Sequence, residues 1–414
     1  MPGDKSISHR AAMIGALADE PIEIANFSTA RDCASTVSCL RDLGVSIDER
    51  DGKLKIAGGR KLVTPRKPLD CGNSGSTMRI LAGVLAGHDL TAELVGDESL
   101  SSRPMRRIIE PLELMGAHIE ATDGKPPLKI QGSSNPRPIT YKLPVASAQV
   151  KSAILFAGLN AKGRTTVIET SQSRDHSERL FNAFGVPVIS DDLSHTIEGP
   201  ARFTGGSITI PGDVSSAAFF VAAAMLLPGS ELVIEGVGLN PTRSVFLSVF
   251  KTWGADISET DVRFERNEPV GTIQVRGGTT AASPQADRVL RGSAIPALID
   301  ELPLLAVVGT QIEGGIEIRD AAELRHKESD RLTATARNLR AMGADVTELP
   351  DGVRISSPTK LHGAEIDAFG DHRIAMAFSV AALIADGETK IHGSESVAVS
   401  FPEFYELLNS LIES

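Results

Sequence analysis

Pro2-Gly3-Asp4-Lys5-Ser6-Ile7-Ser8-His9-Arg10 runs without a break into Ala11-Ala12-Met13-Ile14-Gly15-Ala16-Leu17-Ala18, a polar turn feeding a helix of small residues. The same design returns at Pro211-Gly212-Asp213-Val214-Ser215-Ser216, which leads into a helix from Ala217 to Leu227, then Gly229 and the strand-like Leu232-Val233-Ile234. Further copies open at Cys71-Gly72-Asn73-Ser74-Gly75-Ser76, Pro144-Val145-Ala146-Ser147-Ala148-Gln149, Asp300-Glu301-Leu302-Pro303 and Phe369-Gly370-Asp371-His372-Arg373. Second halves repeat too. Leu40 to Val45, Leu112 to Ala117, Leu180 to Gly185, Val249 to Ala255 and Leu339 to Ala344 each end a helix at a glycine in the C-cap position. A period of roughly 70 residues, met about six times, predicts a repeat architecture.

One copy reads as strand, helix, strand, helix and then a hairpin such as Val45 to Ile47 with Leu54 to Ile56 around Asp51-Gly52. Its first helix starts beside the polar turn. Helix starts leave N–H groups unpaired and carry partial positive charge, so several of them aimed at one place make an anion site.

With 414 residues the chain exceeds the size at which single cores stop growing, which predicts two domains. Three copies fill residues 4–210 and three fill 211–414 together with 1–3, the cut falling near the linker-like Gly205-Gly206-Ser207. Aromatics at 4% against 41% hydrophobic residues predict cores of Ala, Leu, Val and Ile with closely packed helices. A net charge of −11 without a basic run argues against a nucleic-acid surface, while leaving a basic cleft for small anions open. Cys33, Cys39 and Cys71 lack metal-site spacing, and Cys71 reads as a small buried residue. The lack of a signal peptide or long apolar run predicts a soluble cytoplasmic protein.

Six runs decide between chemistries: Gly3 to Arg10, Gly72 to Arg79, Arg103-Pro104-Met105, Ser147 to Ala153, Lys327-Glu328-Ser329-Asp330-Arg331 and Gly370-Asp371-His372-Arg373. In this order and spacing they closely resemble the EPSP synthase family of enolpyruvyl transferases, and the resemblance spans the chain. It implies an α/β fold of two domains, each of three βαβαββ-type repeats, closing around a cleft with helix N-termini inward. It implies transfer of the enolpyruvyl group of phosphoenolpyruvate to the 5-hydroxyl of shikimate 3-phosphate, by a monomer, without metal or cofactor. It also implies a strand ahead of Met1 that this sequence does not contain, completing the copy that begins at Phe369.

Carried over residue by residue, the resemblance assigns Lys5, Ser6, Arg10, Ser147, Gln149, Ser173, Asp300 and Lys327 to shikimate 3-phosphate. Lys5, Gly75, Arg103, Gln149, Arg331 and Arg373 go to phosphoenolpyruvate. Asp300 is the expected base toward the 5-hydroxyl, and Glu328 the group that protonates and later deprotonates the C3 methylene, with Lys5 as rival. Arginine suits such ligands because its planar fork matches carboxylate and phosphate. Read without the family, Ser6 is a helix N-cap, Ser173 a cap, and Lys327-Glu328 a helix start with charges suited to its dipole.

Val399 stands where some relatives carry a lysine for phosphoenolpyruvate. Gly75 stands where an alanine methyl in some relatives excludes glyphosate, so ordinary glyphosate sensitivity is expected; an inhibition curve that needs millimolar glyphosate would refute this. The sister family acting on UDP-N-acetylglucosamine uses a loop cysteine, which Glu98 to Arg107 lacks. A P-loop reading of Gly3-Asp4-Lys5-Ser6 fails for want of the earlier glycine. A non-catalytic repeat scaffold would not need cations at helix starts.

Overall fold

The computed structural model describes residues 1–50, 52–59, 61–278, 287–356 and 358–412; Asp51 of the expected hairpin lies outside them. The chain forms two compact units. One comprises Pro2–Pro211 with Phe264–Glu268, and the other Met1, Gly212–Arg263 and Pro269–Ser414. Pro2 and Gly3, expected with the second unit, belong to the first. The Asp4 N–H donates to the Pro211 carbonyl at 2.8 Å, and a Cβ on Gly3 would stand 1.8 Å from the Asn26 carbonyl oxygen, so only glycine lets the strands approach here.

In the N-terminal unit, three described sheets share one strand pattern. In the first, Ile22–Ala25 pairs in parallel with Gly206–Thr209 and antiparallel with Lys53–Ile56, which pairs with Ile47–Arg50. The second runs Leu69–Asp70, Thr91–Val95, Lys125–Gln131, His118–Thr122, and the third Thr140–Lys142, Gly163–Ile168, Ser194–Gly199, Val188–Asp191. Gly206 and Ser207, expected as linker, are instead strand: the last segment of the unit returns to complete its first sheet.

The C-terminal unit carries the plan in part, with Glu231–Gly238, Glu268–Arg276 and Asp256–Glu265, the turn Phe264–Glu268 between the last two being counted with the N-terminal unit, then the four strands Val289–Leu290, Ile316–Ile318, Gly352–Ser356 and Asp345–Leu349, then the parallel pair Glu365–Asp367 and Lys390–His392.

Helices occupy the middle of each unit and sheets its outside. Lys125–Gln131 alternates exposed and buried along its length, one face to water. Val214–Leu226 is buried at every position, as a helix apolar on all sides must be. Small residues let the central helices touch. A Cβ on Gly83, in Gly75–Ala86, would sit 2.1 Å from the Ala153 carbonyl oxygen of Ala148–Gly158.

The expected glycine stops are present. Gly44, Gly116, Gly185, Gly254 and Gly343 all have φ between 86° and 105°, and the residue after each sends its N–H to the carbonyl five back, as Val45 to Leu40 and Ala344 to Leu339. That is the Schellman closure, which a left-handed residue permits.

His9 lies in the N-terminal core with Nδ1 2.7 Å from Thr36 Oγ1, which is 2.7 Å from Thr77 Oγ1. Burial, helped by the charges of Lys5 and Arg10, holds its imidazole well below the usual range. The unfolded chain therefore takes up a proton near the model-peptide value of about 6.5 while the folded chain does not, so stability falls as pH drops below that value. Urea unfolding at pH 7.5 and 5.5 should show the wild type losing about 1 kcal/mol more than His9→Gln over this interval. Equal losses would mean that His9 is not held neutral.

Candidate functional site

Each unit gathers polar side chains at the starts of its central helices. In the N-terminal unit the cap of Lys5–Leu17 is Asp4, whose Oδ1 accepts from the Ile7 N–H at 2.9 Å. Ser6 is the second helical residue and not the cap, a correction to the cap reading. The cap's carboxylate satisfies the orphan N–H groups, and Lys5 sends its ammonium to Asp32 at 2.9 Å.

Arg10, one turn further, is buried. Its Nε donates to Ser177 Oγ at 2.7 Å, one terminal nitrogen to Ser152 Oγ at 2.9 Å and the other to the Ser6 carbonyl at 2.9 Å. Burial pulls its guanidinium down to about 10, with Glu178 acting in the opposite direction.

The second central helix opens at Gly75 behind the cap Ser74, whose Oγ accepts from the Thr77 N–H. An added Cβ on Gly75 would meet Arg79 at 2.7 Å and Arg103 at 3.4 Å, so this glycine borders two guanidinium groups. Arg79, which the motif reading quoted without a role, holds the Gln149 carbonyl at 2.8 Å, while the Gln149 amide donates to Ser76 Oγ at 2.9 Å. Arg103 follows Glu98–Ser102 and donates to Asn73 Oδ1 at 2.8 Å and Ser99 Oγ at 3.0 Å.

Ser147 caps the third central helix by accepting from the Val150 N–H at 3.4 Å, which keeps its hydroxyl hydrogen for another acceptor. Ser173 differs. Its hydroxyl donates to Glu169, and its N–H reaches the same carboxylate at 3.5 Å.

In the C-terminal unit the cluster centres on Arg331, first residue of Arg331–Ala341 behind the cap Asp330. Its Nε lies 2.8 Å from Asp371, one terminal nitrogen 2.7 Å from Glu328 and the other 3.3 Å from Asp300. Burial opposes the charge on Arg331, but Asp371, Glu328 and Asp300 outweigh it and raise the pKa. Asp371 also caps His372–Leu383 by accepting from the Arg373 N–H at 2.9 Å.

Lys327 is lowered by burial; Asp300 pulls it back up and Arg331 pushes it further down. Arg373 donates to Ser215 Oγ at 2.7 Å, lies 3.6 Å from Glu301 and stands over the Phe219 ring at 5.8 Å. Val399 ends the short 3₁₀ helix Ser394–Val399 of this unit.

The sequence assignments thus fall into two groups. Lys5, Ser6, Arg10, Gly75, Arg103, Ser147, Gln149 and Ser173 stand on the N-terminal unit, and Asp300, Lys327, Glu328, Arg331 and Arg373 on the C-terminal one. Asp32, Arg79, Glu301 and Asp371 complete the groups and were not assigned from sequence. For Arg79 the signal was present, one turn after Gly75 in a quoted motif. The partners of Lys5 and Arg373 are set by tertiary packing alone.

Repeated helix starts that hold arginine forks and carboxylates define an enzyme for anionic small molecules. The profile of the EPSP synthase (3-phosphoshikimate 1-carboxyvinyltransferase) family matches residues 1–408. A 3-phosphoshikimate 1-carboxyvinyltransferase of Koribacter versatilis is 49% identical over 414 residues, covering 100% of this chain and 96% of that one. One of Synechocystis sp. is 48% identical over 421 residues, covering 100% and 93%. Among solved structures, an EPSP synthase from Acinetobacter baumannii superposes with a TM-score of 0.85 at 41% identity, covering 99% of this chain and 94% of that one.

The chain belongs to the EPSP synthase family. Its reaction moves the enolpyruvyl group of phosphoenolpyruvate to shikimate 3-phosphate and releases phosphate, a step of the shikimate pathway to the aromatic amino acids. No helix among the described residues is long and apolar enough to cross a membrane.

Proposed function

We propose a division of roles in which Lys5, Ser6, Arg10, Ser147, Gln149 and Ser173 hold shikimate 3-phosphate, with Asp300 and Lys327 on its hydroxyl side. Lys5, Gly75, Arg103, Gln149, Arg331 and Arg373 hold phosphoenolpyruvate. Asp300 takes the proton of the 5-hydroxyl as that oxygen bonds to C2, while Glu328 delivers a proton to C3. The tetrahedral adduct then collapses: Glu328 recovers a proton from C3, the C2=C3 bond reforms and the C2–O bond to phosphate breaks.

The observation that carries this reading is the state of Arg331. Its fork makes four hydrogen bonds to Asp371, Glu328 and Asp300, so a carboxylate or phosphate entering there displaces Glu328 and Asp300 and releases both for proton work. Gly75 suits the assignment because its missing side chain leaves open the space beside Arg79 and Arg103. The acting unit is proposed to be a monomer. Cytoplasmic residence is proposed with it, alongside charged metabolites that do not cross membranes unaided.

Single-turnover measurement tests the reading of Lys5. Lys5→Met removes the cation held by Asp32 while keeping the stem. The rate at saturating shikimate 3-phosphate and phosphoenolpyruvate should fall by about 10²-fold or more, as expected for a positioned charged group. A change of less than threefold would take Lys5 out of the reacting set.

A further inference from the structure

Lys151 is fully buried, and its ammonium lies 2.7 Å from Glu169 and 2.6 Å from Glu178. His195 approaches the same two carboxylates, with Nε2 3.1 Å from Glu169 and Nδ1 3.5 Å from Glu178. Glu169, Glu178 and His195 have the spacing of a metal site, but the lysine ammonium fills the place of the cation. Stability does not explain such a cluster, because an apolar set of similar volume often serves as well or better.

What its members are joined to is more informative. Lys151 and Ser152 are neighbours on Ala148–Gly158, and Ser177 and Glu178 are neighbours on His176–Ala183. The Lys151–Glu178 pair therefore ties these helices beside the point where the Ser152 and Ser177 hydroxyls meet at 2.7 Å, and those hydroxyls accept the guanidinium of Arg10. Glu169, on the other flank, takes the Ser173 hydroxyl.

We propose that Lys151 is a positioning residue for the shikimate 3-phosphate contacts: through Glu178 it fixes the two-serine seat of Arg10, and through Glu169 it governs Ser173. The inference rests on the reading of Arg10 and Ser173 as ligands of that substrate. Arg10 has five N–H donors. The seat and the Ser6 carbonyl use three and thereby orient the rest.

Ser173 has one hydroxyl hydrogen, so a phosphate must draw it away from Glu169. Burial pushes the Glu169 carboxyl up, but the His195 hydrogen bond and the Lys151 charge outweigh it and hold it down at about 2. By holding that carboxylate in place, Lys151 keeps the Ser173 side chain where an arriving phosphate oxygen can take its hydrogen.

Lys151→Met alone strands two buried carboxylates and is expected to fold poorly. The triple variant Lys151→Met/Glu169→Gln/Glu178→Gln removes the charges with little change of shape, and circular dichroism and thermal melting establish its fold. Titration calorimetry with shikimate 3-phosphate should give a Kd raised about tenfold or more, since small misplacement of binding groups has large effects. The KM for phosphoenolpyruvate should stay within about twofold, a split that general loosening would not produce.

Unchanged Kd in the folded triple variant overturns the inference, and so does a parallel change of Kd, kcat and the KM for phosphoenolpyruvate. Arg10→Gln is measured alongside. A raised Kd there with none in the triple variant overturns the inference and leaves the reading of Arg10 standing. An unchanged Kd in Arg10→Gln overturns both.

Discussion

Arg331→Met should cost the C-terminal unit about 3–5 kcal/mol and leave no measurable turnover at ordinary phosphoenolpyruvate concentrations. Arg331 is 2% exposed and its main partner Asp371 0%. With the guanidinium gone, Asp371 is a buried carboxylate that has lost its ion-pair partner, while Glu328 and Asp300 each lose one ion pair. Removing one member of a buried pair is far worse than never having had it. Lys327 cannot substitute, because a point charge does not reproduce a fork that engages three carboxylates at once.

For a unit of this size each kcal/mol moves the melting temperature by about 2–4 °C, so calorimetry should show a drop of roughly 6–20 °C. Arg331→Met/Asp371→Asn, which removes both charges, should recover much of that stability without recovering activity. A single variant that melts within about 3 °C of wild type would show that the cluster is solvated and loosely held.

Asp300→Asn should slow the single-turnover rate by about 10²–10⁴-fold, the range for removal of a positioned proton acceptor. The amide keeps the carboxylate's shape and its bond from Arg331, but it cannot accept the proton of the 5-hydroxyl. Affinity for shikimate 3-phosphate, titrated directly, should change only a few-fold, so the loss belongs to the chemical step. A rate within tenfold of wild type would remove Asp300 from the role of base. The same experiment on Glu328→Gln would then show whether the second carboxylate takes both protons.

The repeats were legible because they are local. The glycine stops at Gly44, Gly116, Gly185, Gly254 and Gly343 are specified by a left-handed residue after an amphipathic helix, and all five have positive φ. Buried Ala, Val and Leu at Val214–Leu226 announced a central helix for the same reason.

What the sequence left hidden is non-local. Gly205-Gly206-Ser207 reads as a linker because glycine and serine obscure the start of a short strand, Gly206–Thr209, that gains its partner, Ile22–Ala25, from nearly the whole unit away. Ser6 looked like a cap since hydroxyls favour that place, yet Asp4 two residues earlier holds it. Lys151 sat inside a recognised motif, but nothing local tells that Glu169, Glu178 and His195 converge on it.

Asp4 and Asp213 cap matching helices in the two units, each by accepting backbone N–H groups. The residue that follows is Lys5 in one case and Val214 in the other. With Lys5 in its proposed role, anchoring the helix and gripping a ligand are delegated to neighbouring but separate positions. Specificity can be rewritten at the second position while the first keeps the scaffold intact, and one duplicated turn can be retuned copy by copy for different metabolites.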